Sequence, residues 1–220
     1  MEKKKLVIYG IGRFAEYVQY VLEEDSPYEV IAFSIEKSYS EATEFNQLPL
    51  YAFENLDDHI PSDSVSLFIA VGQNEVRKRI FRQCLHKGFT LANYISSKAQ
   101  TWPNLKIGQN CFIGEGSTIQ PYVEIGNGCI LFAANIGHHS RIGNHVLVSA
   151  MTLGGNVLIE DNCFLGMNST VAQNVKVGEN SIIGMGCSIS RNTAPNSVYS
   201  NKGTSMRKVS SEDVSKRFLR

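Results

Sequence analysis

Histidines are concentrated in one short segment of the chain. His138, His139 and His145 are three of only five histidines among 220 residues. An imidazole titrates near neutral pH, so it can accept a proton from an amine or a hydroxyl that attacks a carbonyl group. The pattern around Ile136 places His138 and His139 beside a turn and away from the core. We predict that both are accessible and that His138 is a general base, with an ordinary surface histidine as the alternative.

A metal centre and a covalent nucleophile are the other chemistries that such residues suggest. A catalytic zinc site needs three protein ligands in a fixed geometry, but His138 and His145 have no obvious third partner in this region. His139 is expected to point to the opposite side of its neighbour in an extended segment. No serine or cysteine stands in a recognisable nucleophile motif. We therefore predict no metal and no covalent enzyme intermediate.

An aliphatic residue, usually followed by glycine, recurs at every sixth position around these histidines. The positions that obey this rule are Ile107, Ile113, Ile119, Ile125, Ile136, Ile142, Val148, Ile159, Leu165, Val171, Val177, Ile183 and Ile189. A period of six predicts one flat strand and one turn per repeat, with three sides closing a left-handed parallel β-helix. Cys111, Cys129, Cys163 and Cys187 each stand four residues after an isoleucine. They are predicted to be stacked core thiols rather than disulfides or metal ligands.

The six-residue frame is interrupted at two places. The intervals Ile125–Ile136 and Val148–Ile159 are each eleven residues, one short of two repeats. A coil that loses a residue must bulge or tighten locally, and irregularities in a regular scaffold often accompany function. The two slips flank the histidine cluster and predict a functional site there, with a simple structural kink as the alternative.

The first part of the chain has the pattern of a Rossmann-like α/β unit. The predicted elements are a strand over 5–9, a glycine turn, strands over 29–34 and 66–71, and a helix to about residue 87. Asn74 is expected to cap that helix, and Cys84 to lie on its buried face. The turn reads Gly10-x-Gly12-x-x-Ala15, and Ser34 stands where an acidic residue would bind a ribose, so a nicotinamide cofactor is not favoured. A nucleotide or sugar site is predicted, with a purely structural turn as the alternative.

Length and charge set the remaining limits. A chain of 220 residues is long enough for two modest cores. We expect an α/β Rossmann-like domain over 1–99, an all-β left-handed β-helix over 100–196 and a tail over 197–220. The 21 basic and 21 acidic residues balance, so no net field favours nucleic acid or an anionic membrane. The N-terminus has too few apolar residues for a signal peptide or a membrane span, which predicts a cytoplasmic protein.

Three segments together resemble the sialic acid O-acetyltransferase-like (NeuD/PglD-type) sugar acyltransferases. They are Gly10-Ile-Gly-Arg-Phe-Ala15, Ile69-Ala-Val-Gly-Gln-Asn-Glu-Val-Arg-Lys-Arg-Ile80 and Ile136-Gly-His-His-Ser-Arg-Ile-Gly143. That family includes N-acetyltransferases of nucleotide-linked amino-dideoxy sugars in bacterial glycan pathways. The resemblance implies acetyl-CoA as the donor and a sugar or sugar nucleotide as the acceptor. It also implies a homotrimer with active sites between neighbouring coils, acting in lipopolysaccharide or O-antigen biosynthesis.

The resemblance implies roles for individual residues as well. His138 resembles the general base of the family, and His139 occupies the place of the carboxylate that orients this base. Gly155 resembles the glycine whose N–H faces the thioester carbonyl and stabilises an oxyanion, and His145 resembles a histidine that lines the acceptor pocket. The acceptor contacts implied in the first domain are Gly10, Gly12, Arg13, Ser34, Gly72 and Asn74. The implied acetyl-CoA contacts are Gly155, Gly184, Met185, Gly186 and Lys202.

Several alternatives remain open on the sequence alone. They are O-acylation of a sugar hydroxyl, a larger acyl donor, a metalloenzyme of the hexapeptide-fold carbonic anhydrase type, and a non-catalytic β-helix. The basic tail residues are Lys202, Arg207, Lys208, Lys216, Arg217 and Arg220. They pair with CoA phosphates in one interpretation and are simply solvated in the other. Ser34-Ile35 replaces an acidic pair that meets the nucleotide base in some members, and a histidine at 139 predicts a base tuned differently from theirs.

Overall fold

Short apolar strands alternate with amphipathic helices in the N-terminal part of the computed structural model, which describes residues 3–206 and 208–218. The strands are β1 Lys4–Tyr9, β2 Tyr28–Ile35, β3 Glu44–Phe45, β4 Leu48–Ala52, β5 Ser66–Ile69 and β6 Thr90–Leu91. The helices are α1 Arg13–Glu24, α2 Leu56–His59 and α3 Asn74–His86, with 3-10 turns at Lys37–Tyr39 and Phe53–Asn55. The strand order β3-β4-β2-β1-β5-β6 confirms the predicted Rossmann-like α/β fold.

Strand β1 forms the centre of this domain because both of its faces are buried. Leu6 and Ile8 pack on the face covered by α1, whereas Val7 and Tyr9 pack on the face covered by α3. Successive side chains of a strand point to opposite faces, so an uninterrupted apolar run is what a doubly covered strand requires. The sheet is parallel except at one edge, where β3 runs antiparallel to β4. Cys84 is buried on α3, as predicted.

The start of α3 differs from the prediction. Asn74 is the first helical residue, Gln73 occupies the N-cap position, and no side chain caps the helix. The amide Nδ2 of Asn74 instead donates to the carbonyl oxygens of Asn162 (3.0 Å) and Cys163 (3.1 Å) in the second domain. The predicted Asn74 cap is therefore wrong, because contacts with the other domain hold its side chain.

The second domain is a coil of very short strands. In chain order these are β7 Tyr94–Ile95, β8 Lys106–Ile107, β9 Phe112–Ile113, β10 Thr118–Ile119, β11 Glu124–Ile125, β12 Ile130–Phe132, β13 Asn135–Ile136, β14 Arg141–Ile142, β15 Leu147–Ser149, β16 Thr152–Leu153, β17 Leu158–Ile159, β18 Phe164–Leu165, β19 Thr170–Val171, β20 Lys176–Val177, β21 Ile182–Ile183, β22 Ser188–Ile189 and β23 Val198–Tyr199.

These strands stack into three parallel sheets that form the sides of a triangular coil. Side 1 contains β7, β9, β12, β15, β18, β21 and β23; side 2 contains β10, β13, β16, β19 and β22; side 3 contains β8, β11, β14, β17 and β20. The aliphatic repeat positions lie inside the coil together with the four cysteines. The predicted left-handed β-helix is confirmed.

The coil is longer than the interval 100–196 expected from the sequence. Strand β7 pairs with β9 and already belongs to side 1, and β23 pairs with β21 at the other end. A further helix, α4 Ser211–Phe218, lies in the tail. Arg207 and Arg220 of the basic tail lie outside the described residues. None of the described helices is both long and apolar enough to cross a membrane.

Both frame slips lie at the corner where the chain passes from side 1 to side 2. Leu131 is buried in the coil six residues after Ile125, and the next buried repeat residue, Ile136, follows after only five. The second slip has the same form, and the shortened corners contain Ala133 and Ala150 at φ 43° and 41°. The missing residues are thus located at one defined corner of two successive coils.

The two domains share one hydrophobic core. Side 1 packs against α1, so that Phe112 and Ile130 of the coil are buried in the same cluster as Leu6 and Ile8 of the sheet. Phe14 of α1 contacts the ring of Phe112 edge to face at 5.6 Å between centroids. This continuous apolar contact fixes the Rossmann-like domain on side 1 of the coil.

Candidate active site

His138 and His139 are exposed at the corner between side 2 and side 3, as predicted for accessibility. Turns of successive coils stack at this corner, and backbone hydrogen bonds join them. The His139 N–H donates to the Pro121 carbonyl (3.2 Å), and the Asn156 N–H donates to the His138 carbonyl (2.7 Å). The histidine pair is therefore built on a rigid scaffold, with one turn of the coil on either side.

The imidazole of His138 lies directly against Gly155 of the next coil. A Cβ atom at position 155 would stand 2.7 Å from His138 Cε1 and 2.8 Å from Nε2, so only glycine leaves room for the ring. The backbone N–H of His138 donates to Gln120 Oε1 at 2.9 Å. The Gly155 N–H donates to no group among the described residues. The structure thus brings the predicted base and the predicted oxyanion donor together at one corner.

His139 turns towards His138 rather than away from it. The two Nδ1 atoms are 3.1 Å apart, and the His139 ring stacks on Tyr122 with 4.7 Å between centroids and 28° between planes. The prediction of an extended segment with diverging side chains is wrong, because His139 adopts a left-handed conformation with φ 59°. This turn conformation places both rings on the same outer face of the corner.

An open groove of about 420 Å³ lies beside this pair on side 3. His139, Tyr122 and Asn156 line one end of the groove, and Glu124 and Arg141 line the rest with two aliphatic neighbours. The Glu124 carboxylate pairs with Lys106 at 2.8 Å and with Arg141 at 3.5 Å. The groove therefore offers a mixed polar and apolar surface next to the candidate base.

His145 occupies a different corner from His138. It lies between side 3 and side 1, is only 7% exposed and meets the ring of Phe81 of α3 edge to face at 5.3 Å. Burial, followed by the positive charge of Arg77, lowers the pKa of His145 to about 4. The implied acceptor pocket does not unite His145 with His138 within one chain, because one whole side of the coil separates the two corners.

Arg77 joins the two domains and had no role in the sequence-based predictions. Its guanidinium is fully buried and donates to carbonyl oxygens of both domains: Val71 (2.9 Å), Gly72 (2.8 Å), Gly128 (2.6 Å) and His145 (2.9 Å). It also donates to Asn74 Oδ1 at 3.0 Å. Burial lowers the pKa of Arg77 to about 10. No sequence signal indicated this role, since an arginine on an amphipathic helix is usually exposed.

The residues expected to contact the acceptor follow β1, β2 and β5 at the carboxyl edge of the sheet, where open α/β sheets bind ligands. Gly10 has φ 126°, and a Cβ there would stand 2.9 Å from the Ala70 carbonyl oxygen. Gly12 and Gly72 face open space, and Arg13 is exposed beside Glu16 at 2.9 Å.

Two side chains near the end of β2 differ from what the sequence led us to expect. Ser34 is fully buried, and its hydroxyl has no hydrogen-bond partner in the described part of the chain, so it offers no surface to an acceptor. Glu36 follows the strand and is held by Arg79 (2.6 and 2.7 Å) and by the Tyr9 hydroxyl (3.1 Å). Arg79 holds the pKa of Glu36 below its usual range.

Gly184, Met185 and Gly186, which were expected to contact acetyl-CoA, lie at the corner between side 1 and side 2. Met185 is exposed, and an open cavity of about 360 Å³ extends from Gly186 to Asn201. Lys202 follows and is also exposed. This is the corner that the slips shorten in two earlier coils. Among the described residues, no group of three or more His, Cys, Asp or Glu side chains is placed to hold a metal ion.

A Rossmann-like domain followed by a left-handed β-helix is the combination found in the NeuD/PglD-type sugar acetyltransferases, which this chain resembles. Residues 5–84 match the model of the PglD N-terminal domain, and residues 90–198 match that of the GMPPB C-terminal domain. The resemblance inferred from the sequence motifs is thereby confirmed.

Solved structures of individual proteins share this two-domain fold. The acetyltransferase domain of PglB from Neisseria gonorrhoeae FA1090 is 22% identical with a TM-score of 0.80, covering 89% of this chain and 96% of that one. PerB from Caulobacter crescentus, solved with CoA and GDP-perosamine, is 25% identical with a TM-score of 0.79, covering 88% and 92%. WeeI from Acinetobacter baumannii AYE is 17% identical with a TM-score of 0.78, covering 89% and 96%.

Proposed function

We propose that this protein transfers the acetyl group of acetyl-CoA to the amino group of a nucleotide-linked amino-dideoxy sugar. The observation that carries this proposal is the exposed imidazole of His138 lying against Gly155, whose N–H is free to donate within the described chain. The PglD-type N-terminal domain and the likeness to PerB, which was solved with CoA and GDP-perosamine, support the choice of substrates. The reaction belongs to bacterial surface-glycan biosynthesis, including lipopolysaccharide or O-antigen, in the cytoplasm.

The chemistry needs two groups from the coil. His138 takes the proton of the attacking amine as the nitrogen–carbon bond forms, and returns it to the sulfur as the carbon–sulfur bond breaks. The Gly155 N–H donates to the carbonyl oxygen while that oxygen carries negative charge. General-base catalysis contributes about 10²–10⁴-fold in rate, and loss of one oxyanion donor costs about 10²–10³-fold.

Donor binding is assigned to side 2 of the coil. Gly155 lies at one end of this side, and the cavity beside Gly186 lies at the other. The pantetheine arm would follow the corner formed by Gly184, Met185 and Gly186, and the exposed Lys202 would meet phosphate oxygens. Each shortened corner lacks one residue, so the coil would project less along this edge, where the arm would pass.

The position of the acceptor domain supports the proposal of a homotrimer. The Rossmann-like domain packs on side 1, whereas His138 lies at the opposite corner, between side 2 and side 3. The glycine turn at Gly10 and Gly12 therefore cannot serve the His138 of its own chain. In this proposal the acceptor domain of one coil faces the His138 corner of a neighbour, and a head-to-tail contact of this kind closes into a ring, here of three chains.

The proposal is tested with the purified full-length chain, acetyl-CoA and a panel of GDP-, UDP- and dTDP-linked amino sugars. Thiol release and the mass of one added acetyl group are expected for one member. His138→Ala should lower kcat about 10²–10⁴-fold, whereas His86→Ala, at an exposed histidine at the end of α3, should leave kcat unchanged. Unchanged turnover in His138→Ala, or an acetyl group released by mild hydroxylamine as an ester would be, contradicts the assignment.

A further inference from the structure

The contact between His138 and His139 restricts the protons that the pair can carry. The atoms that meet are both Nδ1, at 3.1 Å, with the ring planes at 87°. A hydrogen bond between two imidazole nitrogens needs one protonated and one bare nitrogen, so a single hydrogen lies between the rings. Each neutral ring then has its tautomer fixed by the other, because protonation at Nδ1 leaves Nε2 bare and the reverse.

The residue type at position 139, rather than its backbone conformation, distinguishes this turn from those of the later coils. Equivalent turn positions of other coils with positive φ hold asparagine, for example Asn156 and Asn174, which tolerates the left-handed region best among residues with side chains. His139 adopts the same conformation, with φ 59°. Its ring is held by the stack on Tyr122, which is itself at φ 64°. A tyrosine and a histidine thus stand at successive turns where later coils have asparagine, and their rings pack on each other.

We propose that His139 is a positioning residue whose bare Nδ1 accepts the Nδ1 proton of His138, so that His138 keeps Nε2 free to act as the base. This inference rests on the proposed function. His139 also lines the groove that holds Glu124 and Arg141, where a proton on its Nε2 would have polar side chains nearby. The opposite tautomer would place the proton of His138 on Nε2 and remove the base.

A neutral residue at position 139 orients the His138 ring without placing a negative charge beside it. A carboxylate at this position would orient the imidazole and also attract its proton, whereas His139 supplies only the acceptor atom. Asparagine can reproduce that function, since its Oδ1 is attached to Cγ as the Nδ1 of histidine is, and asparagine fits a positive φ. Alanine provides no acceptor. The pair His139→Asn and His139→Ala therefore isolates the hydrogen bond.

The test uses ¹⁵N-histidine-labelled full-length protein and the long-range nitrogen–proton spectrum that distinguishes the two tautomers. His138 is expected to show a protonated Nδ1 and a bare Nε2 in the wild type and in His139→Asn, and a mixture in His139→Ala. In the acetyl-transfer assay, His139→Ala should lower kcat by about 10–100-fold with little change in KM, as the loss of an orienting partner typically does. His139→Asn should restore most of the rate.

His59→Ala is the matched control, because His59 also stacks on a tyrosine, Tyr51, at 4.9 Å and 24°, but lies at the end of α2. It should change neither the His138 spectrum nor kcat. A wild-type spectrum with the His138 proton on Nε2, or equal rate losses in His139→Asn and His139→Ala, overturns the proposal. The spectrum is read without any substrate, so a failure of the proposed acetyl transfer leaves this part of the test intact and separately decided.

Discussion

At the scale of single residues, the site depends on the absence of a side chain at position 155. Position 155 lacks a Cβ, and the ring of His138 fills the space that a Cβ would need. The same position presents a backbone N–H with no internal partner among the described residues. One glycine therefore supports both halves of the proposed chemistry, the orientation of the base and the stabilisation of the carbonyl oxygen.

We expect Gly155→Ala to lower kcat about 10²-fold, the loss typical of a single misplaced oxyanion donor or base. The added methyl would stand 2.7 Å from His138 Cε1, so the imidazole must rotate away. Steady-state kinetics measures the effect. Gly116→Ala is the control: it adds strain at φ 72° in an earlier coil with its nearest contact at 3.7 Å, and it should lower thermal stability while kcat stays near the wild-type value. Equal kcat in Gly155→Ala and wild type would show that the ring does not need this space.

At the scale of elements, helix α3 docks the first domain on the coil with one face. Asn74, Arg77 and Phe81 are spaced so that they share a side of the helix, and all three meet the corner that contains His145 or its neighbours. Burial, followed by the positive charge of Arg77, disfavours the protonated form of His145 at this place.

This arrangement predicts a specific loss of stability in acid. The pKa of His145 is lowered from 6.5 to about 4, so between these values the unfolded chain binds a proton that the folded chain does not. Stability therefore falls as the pH decreases through this window and levels off for this group below it. His145→Gln, which does not titrate, should show a shallower decline of Tm between pH 6.5 and 4. If Tm fell equally with decreasing pH in the wild type and in His145→Gln, the predicted burial of a neutral imidazole would be contradicted.

At the scale of the whole molecule, the two domains share one hydrophobic core, so we expect them to unfold as one cooperative unit. Phe112 belongs to the coil but is fully buried in the core of the Rossmann-like domain, against Phe14 and Tyr94. Asp25 at the end of α1 adds a polar connection, accepting from the Tyr94 hydroxyl at 2.9 Å and the Ser97 N–H at 2.9 Å. Neither domain can lose its structure without exposing the core of the other.

Phe112→Ala is expected to destabilise the protein by about 3–5 kcal/mol, the usual cost of removing a buried aromatic ring. Calorimetry should show one unfolding transition at a lower temperature, because both domains lose the same contact. Tyr39→Ala, at a ring that is 65% exposed, should leave the transition unchanged. Two separate transitions in Phe112→Ala, with only one of them shifted, would show that the domains unfold independently.

The sequence was sufficient to predict the fold but not to predict where key side chains point. A six-residue period determines which residues face inwards, so Ile136 and Cys129 could be placed correctly. The same period does not encode the sign of φ, and the orientation of His139 depends on that sign. His145 lies only seven residues after His138, yet this distance spans a side of the coil. Arg77 required knowledge of both domains, since its acceptors come from the loop after β5, from the start of α3 and from two turns of the coil.

The turn conformation of Tyr122, His139 and His145, at φ 64°, 59° and 56°, has a consequence for laboratory evolution. Asparagine fills most equivalent places in the coil, and it would relieve strain at these three as well. Selection for heat resistance alone would therefore tend to replace Tyr122 and His139, and it would enrich robust scaffolds with an impaired site. A screen that alternates heat challenge with turnover would keep both rings, and the frequency of asparagine at these positions would record which pressure was stronger.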